Sequence, residues 1–508
     1  MEKKAVILGL DGLNWEIISI LFNNNIMPNL KKIICNGYGG VLKSTIPPLT
    51  GPAWTTFQTG KTPASHGIGY FGEFTPEGSL KIFNSTDING LTFYEIAEIY
   101  GKKCFIFNLP FSYPPKVDGD IIFSWLDKGH KRFYPNNLLN KQDQDNINEY
   151  FSDNLKISDY SYIKKEINQI DYLLKFAKAN IHRINSYDLL FFLINQTDHC
   201  QHRIYDKIVS HKSNKYQTLY FELMKKIDTI IGLLMDSLGI DSYIFILSDH
   251  GFKKYEKTFH INTWLAEKGY LKRNLEYSKN GNIINVMKKY VLFNGIFKKP
   301  IKLFASYLKK LNSKFQLNRF SIDFDNSIAF TYFSSNYNYI FINDKIANNK
   351  VYMKQIIDEL NKIDNIKAEE CMPITLNGKK ITGSILLWST KYMISSSDLG
   401  LIWSNVNLNS HDINGLYALY GPDIKQGQYN ADIKDIAPTL LYVMDLPLIN
   451  EFDGKIIKTA IKDFNDQKVQ YVKEDALIKA RENKNIDTSI NFSEENRIKE
   501  QLRSLGYL

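Results

Sequence analysis

Cysteine is scarce in this chain: four residues in 508, namely Cys35, Cys104, Cys200 and Cys371, lie far apart with no CxxC spacing. That pattern sets a reducing compartment, the cytoplasm, as the expectation. Long hydrophobic runs are also missing. No apolar stretch approaches the roughly 18 residues of a membrane span. The opening MEKKAVILGLDG passes into an apolar strand without a cleavage-site pattern. Charge of one sign is not concentrated either, since 63 Lys and Arg against 54 Asp and Glu leave +9 over the whole length. So modest a surplus permits an anionic substrate and gives no reason to expect a nucleic-acid polymer.

The composition that remains is ordinary for a globular protein, 44% hydrophobic and 23% charged. The length suits one large α/β domain carrying an insertion. Four continuous apolar runs, Val6 to Leu10, Cys104 to Leu109, Asp188 to Ile194 and Ser242 to Leu247, read as buried parallel strands. Helical spacing marks Ile163 to Ile184 and Tyr216 to Leu238, and Leu399 to Trp403 reads as a further strand.

The stretch Thr45 to Ile68, TIPPLTGPAWTTFQTGKTPASHGI, concentrates the chemistry. Pro52 reads as the first position of a helix that continues through Ala53 to Gln58. Thr50 then sits just before a helix N-terminus, where free amides and the helix dipole favour an anion. Its hydroxyl is either a nucleophile facing a phosphoryl group or a plain helix cap. Trp54 is expected in the core rather than stacked on a ligand.

Other candidates stand at strand ends, where open α/β sheets bind ligands. Asp11 ends the first strand. Asp198 and His202, four apart in NQTDHCQH, share one helix face and could chelate one cation, whereas His199 and His211 are off that spacing. Asp249 and His250 end the strand SYIFIL, and His411 falls on an expected loop before Leu416 to Tyr420. Each feature alone also fits an ordinary turn or polar loop. Between them, Ile296 to Arg319 is basic, with Lys302, Lys309, Lys310 and Lys314 interleaved with apolar positions. It reads as a solvated face, with a lid or a weak membrane-surface contact as the sharper alternative.

Taken in order, LGLDG, STIPPLTGPAWTTFQTGKTPASHGI, NLPFSYPP, QTDHCQH, LSDHGF and SHDINGLYALYGPDI resemble the alkaline phosphatase superfamily. Within it they are closest in pattern to the type I phosphodiesterase/nucleotide pyrophosphatase-like branch and its predicted phosphohydrolases and phosphomutases. The resemblance implies a mostly parallel central sheet with helices on both faces and an inserted cap. It divides the chain into a core part at 1–250, an insertion at 251–397, a core completion with His411 at 398–465 and a charged, peripheral tail at 466–508. It also implies two divalent cations, zinc first and manganese as the alternative. Asp11, Asp249, His250 and Thr50 would hold one, and Asp198, His202 and His411 the other. The implied reaction is hydrolysis of a small phosphate ester, most simply a diester, through a phosphothreonine on Thr50.

One departure limits the parallel. Nucleotide pyrophosphatases carry an asparagine soon after the His-Gly pair, and here His66-Gly67 is followed by Ile68, Gly69, Tyr70 and Phe71. Nucleotide specificity therefore does not carry over. A sulfatase reading fails because Thr50-Gly51-Pro52 cannot supply the Cys or Ser those enzymes convert. A phosphomonoesterase or phosphomutase, and a non-catalytic relative, are the remaining alternatives. The sequence gives no oligomeric state.

Overall fold

The computed structural model describes residues 3–74, 80–127, 132–152, 157–237, 239, 241–273, 322–332, 334–346, 349–371, 374–376, 379–381, 383–398, 400–479 and 492–505. Residues 296–319, with the four lysines named above, lie outside them. Two compact units divide the chain: 1–72, 82–253 and 409–508 form the first, and 73–81 with 254–408 the second.

The apolar runs become strands of one sheet in the first unit because both their faces are covered. Its strands are β1 (Lys4–Leu10), β2 (Tyr38–Lys43), β3 (Cys104–Phe107), β4 (Asp120–Ile122), β5 (Phe133–Tyr134), β6 (Leu189–Ile194), β7 (Ser242–Leu247), β8 (Asn414–Tyr420), β9 (Gly427–Gln428) and β10 (Ala431–Asp432). Their order is β9-β2-β8-β7-β1-β6-β3-β4-β5, with β10 also on β2. β1 runs parallel to β6 and β7, and β3 parallel to β6 and β4. β8 is antiparallel to both β7 and β2.

Alternation along β1 shows why helices flank both faces. Val6, Leu8 and Leu10 enter one core with residues of helices Trp15–Asn23, Pro28–Asn36, Asp159–Ala179 and Lys215–Ser237. Ala5 and Ile7 enter another, with Ala53, Trp54 and Phe57 of helix α1 (Thr50–Thr59) and residues of helix Ile436–Val443. Each such large side chain, fully buried, contributes about 1.5–3 kcal/mol.

Three expectations need correction. Helix α1 starts at Thr50 rather than Pro52: Leu49 is extended, and Ala53 N donates to Leu49 O at 2.9 Å to close the first turn. Proline, lacking an N–H, is tolerated anywhere in that turn, so Pro52 marked the helix start only to within two residues. His411 lies on strand Trp403–Asp412, not on a loop. That strand begins at Trp403 rather than Leu399, after Gly400 at φ +65°.

The C-terminal segment is less peripheral than its charge suggests. Tyr471–Val472 pairs with Leu448–Ile449, Glu474 is buried against Lys61, and Ile498 and Leu502 are fully buried.

The second unit has its own core. Strands Ala329–Phe330, Tyr337–Ile342, Ser384–Trp388 and Lys367–Glu370 form an antiparallel sheet in that order. Ile340, Ile342, Ile385 and Leu387 pack with Ile356 and Leu360 of helix Asn349–Leu360.

Candidate active site

Three adjacent parallel strands, β6, β1 and β7, deliver their C-terminal ends to one place. Asp11 follows β1 and is tied to β6 through its amide, which donates to Ile194 O at 3.1 Å. After β6 the chain turns into helix α2 (Gln196–Ile208), whose first turns carry Asp198 and His202. Asp249 and His250 follow β7. β8 runs the opposite way, so its start, just after His411, lies at this same edge.

The six side chains named there converge. Asp198 Oδ1 is 3.5 Å from His202 Nε2 and 3.2 Å from His411 Nε2, and the two imidazole nitrogens are 3.1 Å apart. His250 Nε2 is 3.4 Å from Asp11 Oδ1 and 3.4 Å from Asp249 Oδ2. The His250 and His411 rings stack, with centroids 3.5 Å apart. Two groups have ligand atoms mutually within 4.8 Å: Asp198, His202 and His411, and Asp11, Asp198 and His250. The first trio is the one expected. In the second, Asp198 stands where Asp249 was expected, so Asp198 belongs to both groups and Asp249 flanks His250.

All six are buried. Asp11 Oδ1, Asp198 Oδ1, Asp249 Oδ2 and His250 Nε2 are enclosed yet make no hydrogen bond among the described residues. Burial, with the charges of Asp249 and Asp198 added, holds the Asp11 carboxyl well above its ordinary range. Burial lifts Asp249 to about 7. It pushes His202 down to about 3 and His250 well below the usual imidazole value, so these rings are neutral. Crowded carboxylates and neutral imidazoles with orphaned lone pairs are a donor set that suits a divalent cation, and the absence of thiolate fits zinc or manganese.

Backbone partners set the tautomers. A carbonyl can only accept, so His411 Nδ1–H donates to Pro48 O at 2.8 Å and His250 Nδ1–H to Gly251 O at 3.2 Å. Nε2 of each ring is then the lone-pair nitrogen.

Thr50 is the first residue of α1 and 3% exposed. Thr55 and Thr59 of the same helix spend their hydroxyls on backbone carbonyls one turn back, at 2.8 and 2.7 Å, and Thr56 bonds His66. Thr50 makes no such bond among the described residues. One turn on, on the same face, Trp54 directs Nε1 to Asp11 Oδ2 at 3.4 Å. Trp54 is in the core, as expected, and fully buried.

Sequence reasoning did not find the support around these groups. Thr197 Oγ1 donates to Asp11 O at 2.5 Å, and Pro48 orients His411. Only proximity to the motifs, Thr197 beside Asp198 and Pro48 beside Thr50, could have signalled them. His199 faces elsewhere, with Nε2 3.0 Å from Asn195 Nδ2 and Nδ1 3.5 Å from Glu166. His211 is exposed.

The family model for type I phosphodiesterase/nucleotide pyrophosphatase matches residues 5–363. The chain belongs to the type I phosphodiesterase/nucleotide pyrophosphatase family. It is thus a hydrolase acting on phosphoric ester bonds, in a family that is typically metal-dependent. The match spans every candidate except His411. Among solved structures, the chain is similar to murine ectonucleotide pyrophosphatase/phosphodiesterase 5, at 12% identity over 87% of this chain and 95% of that one, TM-score 0.49. An inactive threonine-to-alanine variant of the murine protein in complex with AMP is similar at 13%, over 88% and 96%, TM-score 0.49. The human counterpart gives 14%, over 87% and 95%, TM-score 0.48. No curated protein matches. Among the described residues of this phosphodiesterase-family chain, no helix is long and apolar enough to cross a membrane.

Proposed function

We propose that this hydrolase is a two-metal phosphodiesterase that cleaves a small phosphate diester through a phosphothreonine on Thr50. The observation that carries the reading is the set of enclosed ligand atoms without hydrogen bonds among the described residues, on Asp11, Asp198, Asp249 and His250. Buried polar atoms of that kind cost free energy unless something satisfies them. Asp11, Asp249, His250 and the Thr50 hydroxyl would hold one cation, and Asp198, His202 and His411 the other, with zinc favoured over manganese. Cations bound there supply Lewis-acid polarisation of phosphoryl oxygens and make a nearby hydroxyl more acidic.

The chain's own groups then have these parts. Thr50 Oγ1 forms a bond to phosphorus as the ester P–O bond breaks, and the threonine proton balances the departing alkoxide. Water then attacks phosphorus, the bond to Thr50 breaks, and the hydroxyl regains a proton. Net, diester and water give monoester and alcohol. The helix N-terminus at Thr50 favours the negative charge on the phosphoryl oxygens.

The test is turnover of bis(4-nitrophenyl) phosphate and of 4-nitrophenyl phosphate by purified protein, with zinc or manganese and after chelation. Metal-dependent turnover with the diester preferred is expected. Preference for the monoester would replace the diesterase by a phosphatase, and turnover unaffected by chelation would remove the metals from the reading.

A further inference from the structure

Three of the candidate metal-binding histidines share one neighbour that none of the motifs assigns a role. The ring of Phe252, 2% exposed, meets His202 edge-to-face at 4.9 Å and 88° and His411 edge-to-face at 5.0 Å and 68°, and lies tilted against His250 at 5.9 Å and 56°. These imidazoles come from helix α2, from strand Trp403–Asp412 and from the end of β7, so no local backbone geometry aligns them. The His202 and His411 Nε2 atoms are 3.1 Å apart, close enough to share one proton, so the two rings must be held for both nitrogens to turn a lone pair to a cation.

The phenyl ring is itself clamped. Tyr205 stacks on it at 5.9 Å, and Asn14 Nδ2 donates both to Phe252 O at 2.9 Å and to Tyr205 Oη at 3.2 Å. Tyr205 Oη donates onward to Glu16 Oε2 at 2.5 Å. On another side stands Gly12, at φ +72°, where an added Cβ would come within 2.9 Å of the ring and 3.3 Å of Asp198 Cα. A side chain at position 12 would therefore displace the ring, the ligand helix or both.

We propose that Phe252 is a positioning residue that holds His202, His250 and His411 in the orientation a cation needs. The inference rests on the metal centre proposed above. Edge-to-face contacts define ring tilt as well as adding stability, and an aliphatic replacement fills volume without defining it. Partners that orient metal ligands typically change affinity by about 10–100-fold when lost.

The experiment compares wild type, Phe252→Leu and Phe107→Leu, the last a fully buried phenylalanine of the same core on β3. Zinc affinity is read by competition with a chromogenic chelator, the coordination environment by cobalt(II) absorption, and the metal-free melting temperature in parallel. Phe252→Leu should lose about tenfold in zinc affinity and alter the cobalt spectrum. Phe107→Leu should lower the metal-free melting temperature at least as much and keep wild-type affinity. If Phe252→Leu does not fold, Phe252→Met, closer in volume, carries the same comparison. Unchanged affinity at position 252, or equal loss in both variants, overturns the proposal and leaves the metal centre standing. A wild type that binds no zinc or cobalt overturns the metal centre itself, and this inference with it.

Discussion

The carbonyl oxygen of Pro48 accepts a 2.8 Å hydrogen bond from His411 Nδ1. The bond leaves His411 Nε2 facing Asp198 Oδ1 at 3.2 Å, and it ties the loop entering α1 to a residue 363 positions later. One contact thus couples the candidate nucleophile's approach to the candidate metal trio.

His411→Ala removes one member of the Asp198, His202 and His411 group and leaves Asp11, Asp249 and His250 intact. Metal content measured by mass spectrometry should fall by about one equivalent per chain, and activity should fall with it. Full retention of both cations would mean that the trio is not a separate site.

Thr50→Ala should lower diester turnover by about two orders of magnitude or more while metal content stays near wild type, because the substitution deletes the nucleophile and one hydroxyl ligand but leaves Asp11, Asp249 and His250 to hold the same cation. Thr50→Ser keeps a hydroxyl at the helix start and should retain part of the activity. Rapid-quench labelling with a ³²P-diester should show phosphoprotein in Thr50→Ser and none in Thr50→Ala. Equal turnover in wild type and Thr50→Ala would remove the threonine from the mechanism.

Much of this site was legible because its ligands come directly after apolar runs. Leu189–Ile194 and Ser242–Leu247 announce themselves as buried strands, and residues at the C-terminal end of a parallel strand land on the binding edge. The i, i+4 spacing of Asp198 and His202 needed only a helix to place them together. The position of His411 was not readable locally. It depends on β8 inserting antiparallel between β2 and β7, a pairing between segments far apart in sequence. Asp198's membership of both ligand groups is likewise a tertiary fact. The tail misled because its charges read as solvated, whereas Glu474 is buried through a specific ion pair.

That pair gives a stability prediction. Lys61 Nζ lies 2.5 Å from Glu474 Oε2 with both side chains under a tenth exposed, and Glu474 Oε1 accepts from Leu91 N at 2.7 Å. Removing one partner leaves the other charged and buried, which costs about 3–5 kcal/mol. Glu474→Ala should therefore shift the denaturant midpoint strongly. The double variant Lys61→Met with Glu474→Gln removes both charges and keeps an acceptor for Leu91 N, so it should recover most of the loss. A double variant as unstable as the single one would show that the pair holds shape rather than neutralising charge.

A last prediction concerns acid stability and depends on His66, which is fully buried behind α1. Ile68 N donates to its Nδ1 at 3.1 Å, so the neutral ring carries its proton on Nε2, which donates to Thr56 Oγ1 at 2.9 Å. A second proton would have to sit on Nδ1, facing an N–H donor in a fully buried site. Burial accordingly pushes the imidazole down to about 3. The unfolded chain binds that proton near pH 6.5, the folded chain only near 3, so between those values the unfolded state holds about one proton more. Stability contributed by the neutral ring is complete above about 6.5 and is lost as pH falls, at up to about 1.4 kcal/mol per pH unit from this group alone. His66→Gln keeps a donor for Thr56 and cannot titrate. It should be somewhat less stable at pH 7, where it lacks the acceptor for Ile68 N, and its stability should fall less steeply toward pH 4. Urea denaturation of the metal-free protein at several pH values isolates this slope from metal release. Parallel pH profiles for wild type and variant would mean that His66 takes up its proton as readily in the fold as in the unfolded chain.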